Sequence, residues 1–273
     1  MQSGYYSAAG GMVTQMNRLE HIANNLANVN TAGFKKDNQI VGDFLRLYKN
    51  ARDDLPLQND TKEAAQFFNR SIDRVPQITD RYTDFSLGHM QKSGNTLDFA
   101  LGNENLFFAV KTPNGVRLTR DGSFTLNEEG ILVTKQGFEV LPSDYFKSKN
   151  AISFDVVDMR IEADKNGQLY TKLSDSAQLI QKAKLMIVSP ENIQKLTKEG
   201  NNLFIPESID SLRIEEQSGA VMQGFVEKSN VNAVNEMVAM IEANRLVGMY
   251  QKAMDSQMND LNRDAIEKIA VTR

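Results

Sequence analysis

The chain contains no cysteine and no tryptophan, and only two of its 273 residues are histidine. Without cysteine there is no disulfide, thiolate nucleophile or cysteine-ligated metal, and the redox compartment cannot be inferred. The two histidines, His21 and His89, lack the spacing of metal ligands, so we expect both to be structural or exposed. The sequence therefore predicts no metal site.

Catalytic and phosphate-binding motifs are also missing, because the sequence holds no G-x-S-x-G, no phosphate loop and no H-E-x-x-H. Asp164 to Gly167 resembles the start of a calcium loop, but the glycine comes two positions early and Asp175 replaces the final glutamate, which favours a hairpin turn. No pair of carboxylates stands out by spacing as an acid and a base. We predict no catalytic residue, no cofactor and no enzymatic activity.

Charge and hydropathy exclude further classes of protein. The 31 basic and 35 acidic residues give a net charge of -4, and neither sign forms a long block, which argues against nucleic acid or an anionic membrane as a partner. No window approaches the roughly 20 apolar residues of a membrane span. The polar, glycine-containing start also differs from a cleaved secretory signal. These features alone favour a soluble cytoplasmic protein.

The two ends of the chain carry the helical pattern. Apolar residues three and four apart form one stripe on a helix, which must find another stripe to leave water. The first helix is predicted from about Tyr6 to Val29, and its stripe comprises Ala9, Met12, Met16, Leu19, Ile22, Ala23 and Leu26. A second helix is predicted over residues 231–270. The ends therefore indicate association.

The C-terminal helix is apolar nearly all round. One seam follows Met237, Ile241, Asn244, Val247, Gln251, Met254, Met258, Leu261, Ala265 and Ile269, and the opposite face carries Val238, Met240, Leu246, Met249 and Tyr250. Asn244 and Gln251 either fix the register of an assembly or face solvent at the edge of the seam. Covering the five residues of the second face would be worth about 7 to 15 kcal/mol gross. We therefore expect self-association through this face. The competing interpretation, a helix on a membrane surface, would need a basic face that this helix lacks.

The middle of the chain has the pattern of antiparallel strands. Turn signals lie seven or eight residues apart at Asn114-Gly115, Asp121-Gly122, Glu129-Gly130 and Gln136-Gly137, and predict a meander of hairpins. Asn166-Gly167 predicts another turn, and residues 183–188 predict a strand that ends at Pro190.

Together these patterns predict an α+β fold in four parts. They are an N-terminal assembly helix at 1–34, a partly extended connector at 35–78, a central antiparallel β domain at 79–223 and a C-terminal assembly helix at 224–273. The two helices are expected to pair into a coiled-coil-like bundle.

Several motifs resemble one family. ANNLAN at 23–28 and TAGFK at 31–35 resemble the N-terminal signature of the bacterial flagellar rod and hook axial proteins, and GFVEKSNV at 224–231 resembles their C-terminal motif. Between them, TDFS at 83–86 and LTRDGSF at 118–124 resemble the central domain of the FlgF/FlgG type. Gly248 departs from the pattern, because the family commonly has glutamate there.

The resemblance implies a structural subunit of the flagellar basal-body rod, which lies in the periplasm and transmits torque from motor to hook. Members self-assemble with other rod and hook axial proteins into a hollow helical rod, and are exported by the flagellar type III apparatus without a cleaved signal peptide, which would replace the cytoplasmic interpretation. Contact with the surrounding basal-body rings is a further implication. The expected assembly interface comprises Asn24, Asn25, Leu26, Ala27, Asn28, Gly33, Phe34, Asn230, Val231, Met237, Val238, Ile241, Asn244, Arg245, Gln251, Met254, Met258 and Leu261.

Three alternatives stay open from the sequence. The chain could be a hook-type axial protein of the same family, or a surface adhesive module in which the helices form a stalk. The third alternative, a polysaccharide or peptidoglycan hydrolase, would need two poised carboxylates in a cleft. The adhesive module and the hydrolase explain the apolar C-terminal helix less well than a rod subunit does.

Overall fold

The computed structural model describes residues 2–43, 76–154, 160–172 and 179–271. Its helices are α1 (Gln2–Ala27), the short α2 (Tyr145–Ser148) and the 39-residue α3 (Ala233–Val271). At 1.5 Å per residue α3 is about 58 Å long. Asn232 caps its start, since the Asn232 side-chain oxygen accepts hydrogen bonds from the backbone N–H groups of Val234 (3.0 Å) and Asn235 (3.1 Å).

The strands are short. Before residue 130 they are β1 (Asp37–Asp43), β2 (Pro76–Thr83), β3 (Met90–Lys92), β4 (Phe99–Leu101), β5 (Phe107–Thr112), β6 (Gly115–Thr119) and β7 (Phe124–Leu126). The later strands are β8 (Leu132–Thr134), β9 (Glu139–Val140), β10 (Arg160–Ala163), β11 (Gln168–Lys172), β12 (Leu179–Lys184), β13 (Ile187–Pro190), β14 (Thr197–Glu199), β15 (Leu203–Ile205), β16 (Leu212–Ile214), β17 (Val221–Gln223) and β18 (Phe225–Glu227).

The described residues divide into two compact units. The first comprises the residues up to Ala27, those from Asp37 to Tyr82, and those from Asn232 onward. It holds α1, α3 and a two-stranded sheet of β1 and β2. The second comprises residues 28–36 and 83–231. Terminal helices with a central antiparallel β region are thereby confirmed, while a coiled-coil geometry for the helices stays a prediction.

The second unit is built on an antiparallel sheet with the strand order β14-β15-β6-β5-β9-β8-β7, and β13 pairs with both β5 and β16. A three-stranded sheet of β10, β11 and β12 and the pairs β4–β17 and β3–β18 accompany it. The strand β5 is buried on both faces: Phe108 and Val110 belong to one hydrophobic cluster, and Phe107 and Ala109 to the other. Alternate residues of a strand point to opposite faces, so β5 joins the two halves of the core.

Four of the predicted turns are confirmed. The antiparallel pairs β5–β6, β7–β8, β8–β9 and β10–β11 meet at Asn114-Gly115, Glu129-Gly130, Gln136-Gly137 and Asn166-Gly167. In all four turns the glycine has a positive φ, which a tight turn requires and which other residues adopt with strain. The hairpin reading of Asn166-Gly167 therefore prevails over the calcium loop.

Two predictions about strands are wrong. Asp121-Gly122 does not connect a hairpin, because β6 already pairs with β5 on one edge and β15 on the other, leaving no edge for β7. Residues 183–188 are not one strand either. The Leu185 N–H bonds the Gly167 carbonyl (2.9 Å) and the Met186 N–H bonds the Leu141 carbonyl (2.8 Å), so the chain passes there from β12 into a different sheet.

Differences at the N-terminal side are small. The helix α1 begins at Gln2 and ends at Ala27, a few residues before the predicted bounds of Tyr6 and Val29. The predicted connector at 35–78 contains β1 and the start of β2, which pair with each other. Its residues 44–75 lie outside the described part of the chain.

Candidate assembly interface

The helices α1 and α3 pack side by side within the first unit. A Cβ added to Gly11 would lie 2.5 Å from the Tyr250 ring, so only a hydrogen fits between the α1 backbone and that ring. Ala8 and Ile22 of α1 and Ala243 of α3 are buried. Small side chains let helix backbones approach closely, and the contact covers one face of each helix.

The opposite face of α3 is uncovered. At about 100° per residue, Met237 and Ile241 lie within about 20° of Gly248 around the helix, whereas Ala243 and Tyr250 lie about 140° and 160° from it. Met237 is 46% exposed and Ile241 is 61% exposed. We call Met237, Ile241, Asn244, Gly248 and Gln251 the outer stripe of α3. Val238 and Met249 are exposed beside it, and so are the charged residues Arg245 and Lys252. The face in water is therefore mixed, with large apolar side chains among the charges.

Apolar side chains are also exposed on α1. Tyr6 is 66% exposed, Val13 is 58% exposed and Met16 is 47% exposed. The charged residues of α1 are Arg18 and Glu20, both in its second half. The part of this helix up to Met16 therefore presents an uncharged surface with three large exposed side chains.

The end of α1 is fixed to the start of α3 by a buried amide. The Asn25 side chain donates to the Asp37 carbonyl (2.9 Å) and to the Glu236 carboxylate (3.4 Å), and it accepts from the Asp37 N–H (3.1 Å). Asn25 and Glu236 are both nearly fully buried. An amide with donors and acceptors satisfied in this way fixes position, because leaving them unpaired costs about 1 to 3 kcal/mol.

A buried charge cluster lies in the second unit. Lys35 and Arg120 flank Glu227: the Lys35 ammonium donates to Oε1 of Glu227 (2.7 Å), while Nε and Nη2 of Arg120 reach Oε2 at 2.9 and 2.7 Å. The Gly88 N–H donates to Oε1 as well (2.9 Å). We call Lys35, Arg120 and Glu227 the Glu227 cluster. Two cations and one anion share a site from which water is excluded.

The remaining donors of the Glu227 cluster bond backbone carbonyls. The Lys35 ammonium donates to the Ser86 carbonyl (2.6 Å). The Arg120 guanidinium donates to the carbonyls of Asn103 (2.6 Å) and Leu101 (3.1 Å), and also to that of Leu106. Buried charges are tolerated when they are paired and hydrogen-bonded in this way.

Burial sets the acid–base properties of the two cations. Desolvation lowers the pKa of the Lys35 ammonium, against the attraction of Glu227, and the nearby charge of Arg120 lowers it further. Desolvation also lowers the pKa of Arg120 despite its bonds to Glu227. Removing water disfavours a charge, and an opposite charge within hydrogen-bonding distance favours it. Glu227 is therefore the group that keeps two cations in the interior.

The Glu227 cluster joins three of the five sequence motifs. Lys35 ends TAGFK, Arg120 is the basic residue of LTRDGSF and Glu227 is the acidic residue of GFVEKSNV. Backbone contacts support the same junction. The Gly33 N–H bonds the Glu227 carbonyl (2.9 Å), and Gly33 has a φ of 67° and no room for a Cβ, which would lie 2.3 Å from the Asp121 nitrogen. The motifs are thus parts of one structural site.

Asn230 and Lys198 add bonds to this junction. The Asn230 side chain accepts from the Lys36 N–H (2.8 Å) and donates to the Asp84 carbonyl (2.8 Å). The Lys198 ammonium donates to the Lys35 carbonyl (2.7 Å) and lies 4.0 Å from the centroid of the Phe34 ring, a cation–π distance. Phe34 is buried, so residues 33–36 are held on several sides.

The predicted interface residues divide by exposure. Those exposed are Asn24, Ala27, Met237, Val238, Ile241, Asn244, Arg245, Gln251 and Met258, and those half-buried are Leu26, Asn28, Asn230 and Met254. Asn25, Gly33, Phe34 and Val231 are buried inside the chain, and the side chain of Leu261 lies outside the description. The exposed group remains available to another subunit, while the buried group forms contacts of the chain itself.

Sequence reasoning missed Lys35, Arg120, Glu227 and Glu236 as structural residues. A usable signal existed for Arg120 in the strand period of two, because Arg120 follows the buried Leu118 by two residues. A charged residue on the same face as a core residue indicates a buried charge. The partner of each charge could not be read, because the three members lie more than 80 positions apart from one another.

A polar cavity of about 520 Å³ lies in the second unit, and Asp98, Asp121 and Lys135 are among its lining residues. Burial raises the pKa of Asp121. The two carboxylates have turn-stabilising partners: Asp121 accepts from the Ser123 N–H (3.0 Å) and Asp98 from the Asn95 amide (3.2 Å). The two aspartates of this cavity thus serve as acceptors in turns.

Across the described ranges, no group of histidine, cysteine, aspartate and glutamate is placed to hold a metal ion. In that part of the chain no helix is both long and apolar enough to cross a membrane.

Three family models match the chain in order. A flagella basal body rod protein model matches residues 6–35, the D1 domain of flagellar hook protein FlgE/F/G matches 103–222, and the C-terminal model of flagellar basal body rod FlgEFG protein matches 222–266. The first model covers most of α1 and the third covers most of α3. Lys35 lies in the first match, Arg120 in the second and Glu227 in the third.

Full-length relatives agree with the models. The chain is 30% identical over 267 residues to the flagellar basal-body rod protein FlgG of Borreliella burgdorferi, covering 96% of this chain and 97% of the relative. It is 29% identical over 275 residues to FlgF of Caulobacter vibrioides, covering 98% of each. It is 31% identical to FlgG of Buchnera aphidicola subsp. Baizongia pistaciae over 90% of this chain and 92% of the relative. The chain belongs to the flagellar basal-body rod proteins of the FlgF/FlgG type, a family of structural proteins of the bacterial flagellum.

Proposed function

We propose that this chain is an axial subunit of the flagellar rod, and that it assembles with copies of itself and with other rod and hook axial proteins into a hollow helical rod. The observation that carries the proposal is the outer stripe of α3, since it leaves large apolar side chains in water opposite the face that packs on α1. Burying the exposed half of each such side chain would contribute about 1 kcal/mol per residue. A neighbouring subunit is the surface that can cover them.

Transmission of torque from motor to hook requires a subunit whose parts move together. The Glu227 cluster supports this role within the second unit, because it ties Lys35 and Glu227, near the two ends of that unit's sequence, to Arg120, the residue after strand β6. Buried charged hydrogen bonds of this kind are short and strong. Force that enters the second unit near either end of its sequence would pass to its core through these bonds.

The route to the rod is part of the same proposal. The subunit would leave the cell through the flagellar type III export apparatus without a cleaved signal peptide, and would contact the surrounding basal-body rings in the periplasm. Isolated helices are marginal in water, so α1 and α3 would order fully only on docking. That property would prevent premature filaments inside the cell.

The test is a charge placed on the outer stripe. Ile241→Asp should abolish rod assembly and swimming in a strain that lacks the native copy, because a carboxylate would replace an apolar side chain that the contact buries. Ala253→Asp is the matched control: this position on the same helix is also exposed, but lies about 120° round the helix from Ile241. Normal motility and normal rods with Ile241→Asp would contradict the proposal.

A further inference from the structure

The two Asn-Gly turns of the second unit share one chemistry but lie in different surroundings. Asn114-Gly115 connects β5 to β6, and Asn166-Gly167 connects β10 to β11. No other asparagine of the sequence is followed by glycine. In such a pair the backbone nitrogen of the glycine can attack the side-chain carbonyl carbon of the asparagine, because glycine has no Cβ to hinder the approach.

The surroundings of Asn114 leave its side chain free to move. Asn114 and Gly115 are both exposed. In the described part of the chain, the Asn114 amide makes no hydrogen bond. A Cβ added to Gly115 would meet only the end of the Arg117 side chain, at 3.6 Å. The turn therefore has room for the asparagine side chain to fold back onto the next backbone nitrogen.

The surroundings of Asn166 hold it in place. Its side-chain oxygen accepts from the Gly219 N–H (3.2 Å), and its own N–H donates to Oδ1 of Asp164 (2.9 Å). Gly167 is buried. The Gly167 N–H donates to the Asp164 carbonyl (3.1 Å), and the Gly167 carbonyl accepts from the Leu185 N–H (2.9 Å). Asn166 can therefore reach the Gly167 nitrogen only after the turn opens.

We propose that Asn114 is a site of spontaneous deamidation in the folded chain, and that the turn around Asn166 protects that residue. The Gly115 nitrogen attacks the side-chain carbonyl carbon of Asn114, and the new bond closes a five-membered succinimide ring. The bond from that carbon to the side-chain nitrogen breaks, and ammonia leaves with the proton that the Gly115 nitrogen gives up. Water then opens the ring at either carbonyl, which yields aspartate or isoaspartate.

The two products should differ in their effect on the β5–β6 turn. An aspartate at position 114 adds an exposed charge near Arg117, whose Nε also bonds Glu199 (2.5 Å), and a guanidinium can bond two carboxylates at once. Isoaspartate adds one methylene to the main chain between the paired residues Thr112 and Gly115. That product should disturb the hydrogen bond from the Thr112 hydroxyl to the Gly115 carbonyl (2.9 Å).

Peptide mass spectrometry of the full-length chain measures both sites in one experiment. The folded chain is incubated in mildly alkaline buffer and digested with trypsin, which releases residues 112–117 and 166–172 as separate peptides. The mass difference between a carboxyl and an amide reports deamidation in each peptide. Digestion in water enriched in heavy oxygen marks any conversion that occurs during digestion. Asn114 should convert about tenfold or more faster than Asn166, because the second turn must first break several hydrogen bonds.

The same chain in urea is the control for the sequence. Without the folded turns, the two pairs should convert at comparable rates, because their reacting residues are identical. Asp164→Ala is the control for the structure. It should speed conversion of Asn166 in the folded chain, since it removes the acceptor of the Asn166 N–H, and should leave the rate at Asn114 unchanged.

Equal rates at Asn114 and Asn166 in the folded chain, or a faster reaction at Asn166, would overturn the inference. An Asn114 that stays intact in the folded chain while it converts in urea would also overturn it, because the β5–β6 turn would then be protective. None of these outcomes depends on rod assembly, so the proposed function is tested separately.

Discussion

Arg120 and Glu227 form a buried ion pair, in which two guanidinium nitrogens contact one carboxylate oxygen, although 107 positions separate the two residues in the sequence. Both side chains are almost fully excluded from solvent. Lys35 completes the site from the other side of the carboxylate. The pair therefore connects β18, the last strand before α3, to the residue that follows the core strand β6. Lys35 connects the segment after α1 to the same carboxylate.

Glu227→Gln should be among the most destabilising polar substitutions in the chain. It keeps the shape of the side chain but leaves two buried cations without an anion, a situation that costs about 3 to 5 kcal/mol. The loss in free energy of unfolding is measured by urea unfolding. Because the chain contains no tryptophan to serve as a fluorescent probe, unfolding is followed by far-ultraviolet circular dichroism.

Lys35→Met provides the comparison for Glu227→Gln. It leaves the Arg120–Glu227 pair intact, the Gly88 N–H still bonds Oε1 of Glu227, and the Asn230 amide still reaches the Ser86 carbonyl at 3.3 Å. We expect a smaller loss of about 1 to 2 kcal/mol. Equal losses for the two variants would show that the charge balance of the cluster is unimportant.

Gly33→Ala should disrupt the junction of the motifs. The new Cβ would lie 2.3 Å from the Asp121 nitrogen, and the residue would keep a φ of 67°. Because the clash is with backbone, we expect a loss of about 3 kcal/mol or more. Gly94→Ala separates the two causes, since Gly94 has a φ of 77° but no atom within 4 Å of its Cβ position. It should cost only about 1 to 2 kcal/mol, and thermal unfolding of both variants checks the difference.

Asp121→Asn should stabilise the chain at neutral pH. Burial raises the pKa of the Asp121 carboxyl, so the folded chain binds that proton more tightly than the unfolded chain. The stability from this group is present below its unfolded value of 3.8 and is lost as pH rises through the higher folded value. The asparagine oxygen can still accept from the Ser123 N–H. The melting temperatures of the two proteins should differ most at neutral pH and converge as pH falls towards 3.8, and a constant difference would refute the assignment.

Gly11→Ala should weaken the pairing of α1 with α3 by about 1 to 3 kcal/mol, through overpacking against the Tyr250 ring. Helix propensity alone predicts the opposite sign. Gly4→Ala is the matched control on the same helix, because its Cβ would meet only the flexible end of Gln257 at 3.3 Å. Hydrogen exchange of α1 amides should accelerate in the first variant and not in the second. Protection unchanged by Gly11→Ala would show that the close contact is not needed.

The sequence was sufficient for features that depend on local chemistry. Asn114-Gly115 and Asn166-Gly167 form turns because glycine supplies the positive φ wherever the flanking strands are free to pair. The apolar stripes likewise predicted α1 and α3. Local chemistry failed at Asp121-Gly122, where a third strand, β15, already occupies the edge of β6. Which strand takes an edge is a long-range matter that a turn signal does not contain.

The sequence indicated which residues belong to the candidate site, but not which face of α3 packs on α1. Ile241 and Met237 could be assigned to an apolar seam from their spacing, but the pattern could not show that α1 packs on the face of Ala243 and Tyr250 and leaves the seam in water. The Glu227 cluster was beyond reach for a similar reason. A buried cation and its anion carry no shared local signal when Lys35 and Glu227 are 192 positions apart.

The most direct test of the account is a cryo-electron microscopy map of purified basal bodies that contain this subunit with a small label on the β unit. We predict labelled subunits in the rod, with the outer stripe of α3 around Ile241 and Gly248 covered by a helix of an adjacent subunit. A map in which the label lies outside the rod, or in which the outer stripe faces water throughout the assembly, would contradict the account.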